Sequence, residues 1–186
     1  NAARQNRSMS GGLIGFDGQV GEGWRIGLLG GWSRSEFSVP ARASDGHANS
    51  VHLGAYAHGR LGQLNLRLGA SHSWHKLHTA RVAAFPGFAE SLTASYSART
   101  LQGFAELGYT IKAGSLDLEP YAQIAAVSHH TNAIAESGGT AALSGGERTE
   151  TRTFSTLGLR TAVGLGQDGK FTLGAGWRHG FGADEP

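Results

Sequence analysis

The stretch that decides the fold is Gln63-Leu64-Asn65-Leu66-Arg67-Leu68-Gly69-Ala70, in which apolar and polar residues alternate. Residues 24–32 carry Trp, Ile, Leu and Trp at even positions, and residues 116–119 alternate in the same way. A period of two gives a β-strand one apolar face and one polar face. No segment shows a convincing helical pattern, so the sequence predicts an all-β protein of about eight strands. The predicted strands span residues 8–20, 23–38, 49–60, 63–78, 95–110, 115–129, 151–166 and 170–181.

These strands are longer than those of soluble proteins. A typical soluble strand has about 5–6 residues, whereas a tilted membrane-spanning strand needs about 9–11. Tight turns at residues 21–22, 61–62, 112–114 and 167–169 alternate with longer polar stretches at 39–48, 79–94 and 131–150. Short turns at one end and long loops at the other are typical of outer-membrane barrels. The pattern therefore favours an antiparallel up-and-down transmembrane β-barrel.

The apolar face of the predicted strands is expected to contact lipid. It has no Asp, Glu, Lys or Arg in this interpretation, and Arg or Lys at the bilayer midplane would cost about 2–4 kcal/mol. Soluble lipocalin-like barrels have the opposite polarity. The residues expected to face outward are Ile14, Phe16, Trp24, Ile26, Leu28, Trp32, Val51, Leu53, Leu64, Leu66, Leu68, Leu101, Leu107, Tyr109, Leu116, Leu118, Ile124, Leu157, Leu159, Val163, Leu165, Phe171, Leu173 and Trp177. Among them, the predicted aromatic girdles comprise Trp24, Trp32, Tyr109, Phe171 and Trp177.

The other face carries charges of both signs, which predicts a water-filled lumen with ion pairs inside it. The predicted lumen-lining residues are Asp17, Arg25, Arg67, Gln102, Glu106, Asp117, Glu119, Gln123, Arg160 and Arg178.

Composition narrows the functional classes. The 186 residues include 30 glycines and no cysteine, which excludes disulfides, thiolate metal sites and cysteine nucleophiles within this chain. No apolar run of about 18 residues provides a transmembrane helix. The net charge of +2 gives little reason to expect a nucleic-acid partner. The length is that of a single domain, residues 1–186.

The parity of the strands suggests an internal fragment of a larger barrel. If the tight turns are periplasmic, the first and last predicted strands both end outside the cell. Bacterial barrels have an even number of strands and periplasmic termini, so an odd number of strands is expected beyond each end. An open barrel would also leave two unpaired edges in lipid, which is costly.

Seven blocks of the chain resemble, in order and spacing, the β-domain of autotransporters. They read GLIGFD (12–17), GWRIGL (23–28), HLGAY (52–56), LQGFAELGY (101–109), LEPYA (118–122), LGLR (157–160) and GWRHGFG (176–182). The resemblance covers nearly the whole chain.

The resemblance implies the translocator of type V secretion in the Gram-negative outer membrane. This family is similar to a twelve-stranded barrel threaded by a linker helix, with one strand expected before residue 1 and three after residue 186. The implied partners are outer-membrane lipid, the protein's own passenger and linker helix, and the barrel-assembly machinery; no cofactor and no catalysis are implied. Arg25, Arg67, Glu106, Glu119, Arg160 and Arg178 then either hold the helical plug or only pair across neighbouring strands.

Two other functions stay open: a complete eight-stranded structural or adhesive barrel, and an outer-membrane hydrolase with an acid–His or Ser–His site at its rim. His72, His75 and His78 have a metal-like spacing, but a strand would divide them between two faces, so no metal site is predicted. The same alternation separates Ser71 from His72, and no Gly-x-Ser-x-Gly elbow is present. Pro120 predicts a bulge or an unpaired position.

Overall fold

The computed structural model describes residues 4–165 and 169–181, without the side chains of Leu165 and Lys170. The outward position expected for Leu165 therefore lies outside the described side chains. One helical turn, Pro40–Arg42, is present in this part of the chain, which has no helix long and apolar enough to cross a membrane. The described strands are β1 (Asn6–Val20), β2 (Trp24–Val39), β3 (Ser44–Leu61), β4 (Leu64–Phe85), β5 (Phe88–Tyr109), β6 (Ile111–Ala113), β7 (Leu116–Thr131), β8 (Ile134–Ser137), β9 (Ser144–Gly145), β10 (Arg148–Leu165) and β11 (Gly169–Phe181).

The long strands form an antiparallel sheet in the order β1-β2-β3-β4-β5-β7-β10-β11. Every neighbour along this path is also the next long strand in the chain, so the topology is up-and-down. Strands β1 and β11 occupy the two edges, and the described residues show no pairing between them, so the sheet is open. The predicted all-β antiparallel architecture is confirmed. The strand count differs, because the short strands β6, β8 and β9 join the eight long ones that the sequence predicted.

Register assigns every strand residue to one of two faces, because residues paired across an antiparallel ladder project to the same side. We call the side with Arg67 and Glu106 the polar face and the side with Leu28 and Ile124 the apolar face. The end of the sheet with the tight turns at Gly21, Gly62 and Gly114 is the lower end, and the opposite end is the upper end.

Below the level of Arg99, the central strands of the sheet enclose polar side chains and expose apolar ones. Glu106 is 3% exposed on the polar face, whereas Leu28 is 62% exposed on the apolar face. Most of the residues expected to face outward are exposed in this way; Trp24, Leu66, Leu116, Leu118 and Val163 are half-buried. This distribution is the reverse of that in a soluble domain.

The expectation that the apolar face has no charged residue is wrong. The strands continue above their apolar segments, and charged residues lie on the same face there. They are Arg34, Glu36, Asp45, Lys76 and Arg99. The band of apolar residues below them has no charge on that face in the described strands.

The predicted loop of residues 79–94 is instead a continuous hairpin. Strands β4 and β5 each have 22 residues and are joined by Pro86 and Gly87. Gly87 has φ of 85°, which glycine adopts at no steric cost after a proline in a tight turn. The predicted loop 39–48 shortens to residues 40–43 in the same way, and 131–150 contains β8 and β9.

Pro120 sits where the ladder is interrupted. The β5–β7 pairing ends at Gly108 and Tyr121, and the β6–β7 pairing begins at Ile111 and Leu118 in the same register. The interruption accommodates a residue that lacks an N–H, and no extra residue is inserted. Pro120 therefore has an unpaired position on its β5 side and no bulge, while on its other side it is paired with Leu159 of β10.

Candidate functional site

One row of cross-strand neighbours on the polar face is polar in all eight long strands. Register places its members side by side, and five of the predicted lumen residues belong to it. The row is Gln19, Arg25, His58, Arg67, Glu106, Gln123, Thr156 and Arg178. Polar residues recur here in every strand because each contributes the same face at the same level.

Four charged residues form the centre of the site, which we call the Arg–Glu network: Arg67, Glu106, Glu119 and Arg160. Arg67 Nη1 donates to Glu106 Oε1 and to Glu119 Oε1, both at 2.7 Å. Arg160 donates to both oxygens of Glu106 at 2.7 Å and to Glu119 Oε1 at 2.9 Å. Two guanidinium groups and two carboxylates balance in charge, and each carboxylate contacts both cations.

Neutral side chains complete the Arg–Glu network. Asn65 Nδ2 donates to Glu119 Oε2 at 2.9 Å, and Gln123 Nε2 donates to Glu106 Oε2 at 3.2 Å. The Arg160 guanidinium lies 3.8 Å from the centroid of the Tyr121 ring, a cation–π contact. Asn65 and Tyr121 were missed by sequence reasoning. The sequence indicates them only by position: Asn65 is two residues from Arg67 and Tyr121 two residues from Glu119, so each pair lies on the same face of its strand.

A hollow of about 590 Å³ adjoins the Arg–Glu network. Its walls include Arg67, Glu119 and Arg160 of the network and also Asp117, another predicted lumen residue. The hollow is therefore a polar recess on the same face as the network.

The other predicted lumen residues also lie on the polar face, away from the Arg–Glu network. Arg25 pairs with Asp17, which accepts a hydrogen bond from the Tyr56 hydroxyl at 2.7 Å. Gln102 Nε2 donates to Ser71 Oγ at 2.9 Å, and Arg178 Nε makes a long contact of 3.4 Å with Thr156 Oγ1. The predicted lumen residues thus share one face, and the sequence did not indicate which of its charges interact.

Aromatic side chains on the polar face lie over glycines of the neighbouring strand. Tyr121 covers Gly158, where an added Cβ would be 2.5 Å from the ring carbon Cζ. Tyr56 lies over Gly27 and Phe104 over Gly69 in the same way. The absence of a side chain at these positions lets the rings lie flat against the sheet.

Histidines, serines and threonines form hydrogen-bonded chains above the charged row on the polar face. His75 contacts Ser50 Oγ through Nδ1 at 2.8 Å and Thr100 Oγ1 through Nε2 at 3.0 Å. His129 Nδ1 extends this chain from Thr100 at 2.9 Å. His75 has no carboxylate partner here, so the Ser50–His75 pair lacks the acid of a hydrolase triad.

The three histidines with metal-like spacing, His72, His75 and His78, are divided between the two faces of β4, as the alternation of a strand requires. His75 lies on the polar face, whereas His72 stacks on Trp74 at 4.3 Å between ring centroids and His78 is 5.5 Å from His47, both on the apolar face. No group of three His, Asp or Glu side chains in the described residues has the geometry of a metal site. Ser71 and His72 likewise face opposite sides.

The residues predicted for the aromatic girdles lie on the apolar face. Trp32, Tyr109, Phe171 and Trp177 are exposed, while Trp24 packs over Gly59 and is half-buried. Trp74 was missed by sequence reasoning. It is exposed on the same row as Trp32, two strands away.

The upper end carries a separate contact between the β4–β5 hairpin and the loop of residues 132–147. Arg81 donates from Nε to Glu136 Oε1 at 2.8 Å and from Nη2 to Oε2 at 2.6 Å. Arg81 and the backbone N–H of Leu143 lower the pKa of the Glu136 carboxyl to about 2. The backbone N–H groups of Ala141 and Thr140 hold the pKa of Glu90 below its usual range. These contacts fix the loop against the polar face of the hairpin.

Comparison with known proteins identifies the family. The family model described as "Autotransporter beta-domain" matches residues 1–186. This chain belongs to the autotransporter β-domain family. It is an all-β outer-membrane translocator domain of Gram-negative bacteria, and the predicted family and location are confirmed.

Solved autotransporter domains have the same fold. The translocator domain of NalP from Neisseria meningitidis superposes with a TM-score of 0.79 at 20% identity, covering 96% of this chain and 62% of that one. The β-domain of the Bordetella autotransporter BrkA gives a TM-score of 0.67 at 22% identity, covering 96% of this chain and 75% of that one.

A curated relative extends the comparison by sequence. The chain is 34% identical over 189 residues to an extracellular serine protease of Serratia marcescens, which covers 98% of this chain. The chain spans 18% of the length of that relative. The match therefore concerns the β-domain portion, and the protease name describes the relative as a whole.

Proposed function

We propose that this autotransporter β-domain forms part of the wall of a closed barrel, with lipid on its apolar face and a water-filled lumen on its polar face. The observation that carries the proposal is the inverted burial, with Leu28 exposed and Glu106 enclosed. In a bilayer, the exposed leucine and tryptophan side chains contact lipid, which is favourable for them. Closure of the barrel gives every backbone N–H and C=O group of the strands a hydrogen-bond partner. An N-terminal passenger would be exported through or with this lumen, and the protein's own linker helix would occupy it.

The strand edges support a larger barrel. Strands β1 and β11 each have one side without a partner strand in the described part of the chain, and unpaired backbone groups are costly in hydrocarbon. We propose a twelve-stranded barrel in which further strands pair with both edges. Biogenesis of such a barrel would involve the barrel-assembly machinery.

The charged residues of the polar face fall into two roles. Arg67, Glu106, Glu119 and Arg160 satisfy one another, which favours stabilisation of the wall over binding of the plug. Among the described residues, Arg178 has only a long contact with a hydroxyl, so its guanidinium has donors left for a linker helix. Arg178 is therefore the plug-contacting residue that the geometry favours.

The domain itself is proposed to carry out no covalent chemistry. In the Ser50–His75 pair, the second nitrogen of His75 contacts Thr100 instead of a carboxylate. His130 lies 3.7 Å from Glu147 Oε2, but its other nitrogen contacts the hydroxyl of Thr149 rather than that of a serine. Protease activity in the Serratia relative would belong to another part of that protein.

Charge insertion tests the assignment of the faces. The full-length protein carrying Leu28→Lys should show a loss of folded, membrane-inserted protein, because the lysine would cost about 2–4 kcal/mol at the midplane. The matched control is Gln102→Lys, which adds the same charge on the polar face. Heat-modifiable migration of outer-membrane fractions measures the folded amount. Equal loss in both variants would refute the assignment.

A further inference from the structure

Cations on the apolar face are confined to the upper boundary of the apolar band. In the described strands, the Lys and Arg residues of this face are Arg34, Lys76 and Arg99. They lie on three of four consecutive strands, directly above or beside the exposed rings of Trp32 and Trp74. Such a distribution concentrates positive charge at one level of the surface.

Lys76 and Arg99 are close neighbours. Lys76 is paired with Ser97 across β4 and β5, and Arg99 is paired with Trp74 one step lower. Diagonal cross-strand neighbours are about 7–8 Å apart, within reach of long side chains. His78, two residues above Lys76, contacts Ser95 Oγ through Nδ1 at 3.0 Å. These side chains place several hydrogen-bond donors around one spot.

Of the three cations on the apolar face, Lys76 and Arg99 have no counterion among the described residues, whereas Arg34 has one. Arg34 Nε is 2.9 Å from Glu36 Oε1, and the arginines of the Arg–Glu network are all paired. Neither Lys76 nor Arg99 forms an ion pair with any residue in the described ranges, and both are exposed. An anion from outside the chain would therefore complete this group.

The level of the group indicates the source of that anion, and this step rests on the proposed function. Tryptophan rings at the edge of an apolar band lie at the depth of lipid headgroups. Trp32 and Trp74 mark this edge, and Lys76 and Arg99 lie next to them on the same face. The cations therefore lie where phosphate groups of outer-leaflet lipids are found.

We propose that Lys76 and Arg99, with Ser97 and His78, bind the phosphate groups of an anionic lipid headgroup in the outer leaflet. The arginine fork matches two phosphate oxygens, and the lysine ammonium adds a compact positive charge. The Ser97 hydroxyl, opposite Lys76 in the ladder, accepts from Asn132 Nδ2 at 2.9 Å and has its own proton to donate to the phosphate. Trp74 contacts the apolar part of the same lipid below the phosphate.

The test uses the purified full-length protein in nonionic detergent micelles. Bis-phosphorylated lipid A is titrated into the micelles, and its affinity for the protein is measured. The double variant Lys76→Gln/Arg99→Gln should bind lipid A about thirty-fold more weakly, since each cation near a membrane surface contributes a factor of about five. The matched control Arg7→Gln/Arg152→Gln removes two charges from the polar face and should bind as the wild type does. Lipid A without its phosphates should bind the wild type about as weakly as phosphorylated lipid A binds the double variant.

Three results would overturn the proposal: equal binding by wild type and the Lys76/Arg99 variant, equal loss in the Arg7/Arg152 control, or full displacement by millimolar inorganic phosphate. The last result would indicate a free-phosphate site. Insertion of the wild type into phosphatidylcholine vesicles is measured in parallel. Failure to insert would refute the proposed function and this inference together, whereas normal insertion without a lipid A preference would refute the inference alone.

Discussion

The lower and upper parts of strand β5 bury opposite kinds of side chain on the same face. In the lower part, the polar face carries Gln102 and Glu106 while Leu101 and Leu107 are exposed on the other side. In the upper part, the polar-face positions are apolar except Glu90, and Leu92 is only 1% exposed.

The change of polarity occurs without a change of register. The β4–β5 ladder is continuous from Leu64–Tyr109 to Phe85–Phe88, so no residue is inserted or skipped. Above Arg99 in β5, most outward positions are polar and most inward ones are apolar, as in a soluble protein. Below it, the polarity is reversed. The burial pattern of this one strand therefore fits water around its upper part and lipid around its lower part. The boundary between the two lies between Arg99 and Leu101.

The largest expected effect concerns the lower part. Replacing Glu106 by Gln leaves Arg67 and Arg160 sharing one carboxylate in an enclosed position. Breaking a buried ion pair on one side costs about 3–5 kcal/mol. Urea unfolding of the full-length protein in lipid should show a loss of this size. The matched control Glu36→Gln, in an exposed pair with Arg34, should lose about 0–1 kcal/mol; a loss as large as that of Glu106→Gln would mean that enclosure of the network is unimportant.

Disturbing the packing of Tyr121 against Gly158 in the lower part should cause the next largest loss of stability. Gly158→Ala would push the ring away from the sheet and from Arg160, and overpacking of this kind costs about 1–3 kcal/mol. Gly164→Ala, on the same face of β10, is the control, because no atom of the described side chains or backbone lies within 4 Å of its added Cβ. Unfolding midpoints of the two variants should differ. Identical midpoints would show that the ring contact is not needed.

The Arg81–Glu136 contact at the upper end is expected to stabilise only the 132–147 loop. Arg81→Ala removes both hydrogen bonds to Glu136 and one to the Ala141 carbonyl, so the 132–147 loop should become more sensitive to protease. The unfolding midpoint of the membrane-embedded part should change little. Arg42→Ala, at the other upper turn, is the control. A lowered midpoint in Arg81→Ala would show that the two parts are coupled.

The smallest effect is the pH dependence of that loop. The pKa of Glu136 is lowered from 4.5 to about 2, so its stabilising contact is fully present above pH 4.5 and is lost as the pH falls toward 2. Protease sensitivity of the loop should therefore stay constant from pH 7 to 5 and rise below pH 4.5. In Arg81→Ala the rise should be absent, because the loop is already released. A rise centred near pH 6.5 would instead implicate histidine.

Period-two alternation was sufficient to predict the strands and faces of the lower part. Residues such as Leu64, Leu66 and Leu68 repeat on one side over the whole band, and tight turns mark its lower end. The upper hairpin was not predicted because its alternation has the opposite phase. Residues 91–94 read as part of a polar loop when the outward side is required to be apolar, although Leu92 and Ala94 continue the alternation.

The candidate site was predicted as a face but not as a network. Arg67 and Glu106 are direct cross-strand partners, which follows from register, and register was not available from one sequence. Arg160 reaches Glu106 from two strands away, a contact that depends on side-chain length and local packing. Sequence reasoning also required the apolar face to be free of charge, which concealed Lys76 and Arg99.

The most direct test of the central claim is a cysteine scan of β7 in the full-length protein, using single substitutions at residues 122–126 in turn. Labelling with a membrane-impermeant maleimide and quenching of an attached fluorophore by brominated lipid would be measured at each site. Residues 123 and 125 are predicted to react with the maleimide, and residues 122, 124 and 126 to be quenched by lipid. The opposite phase, or no alternation, would contradict the assignment of lipid to the apolar face and water to the polar face.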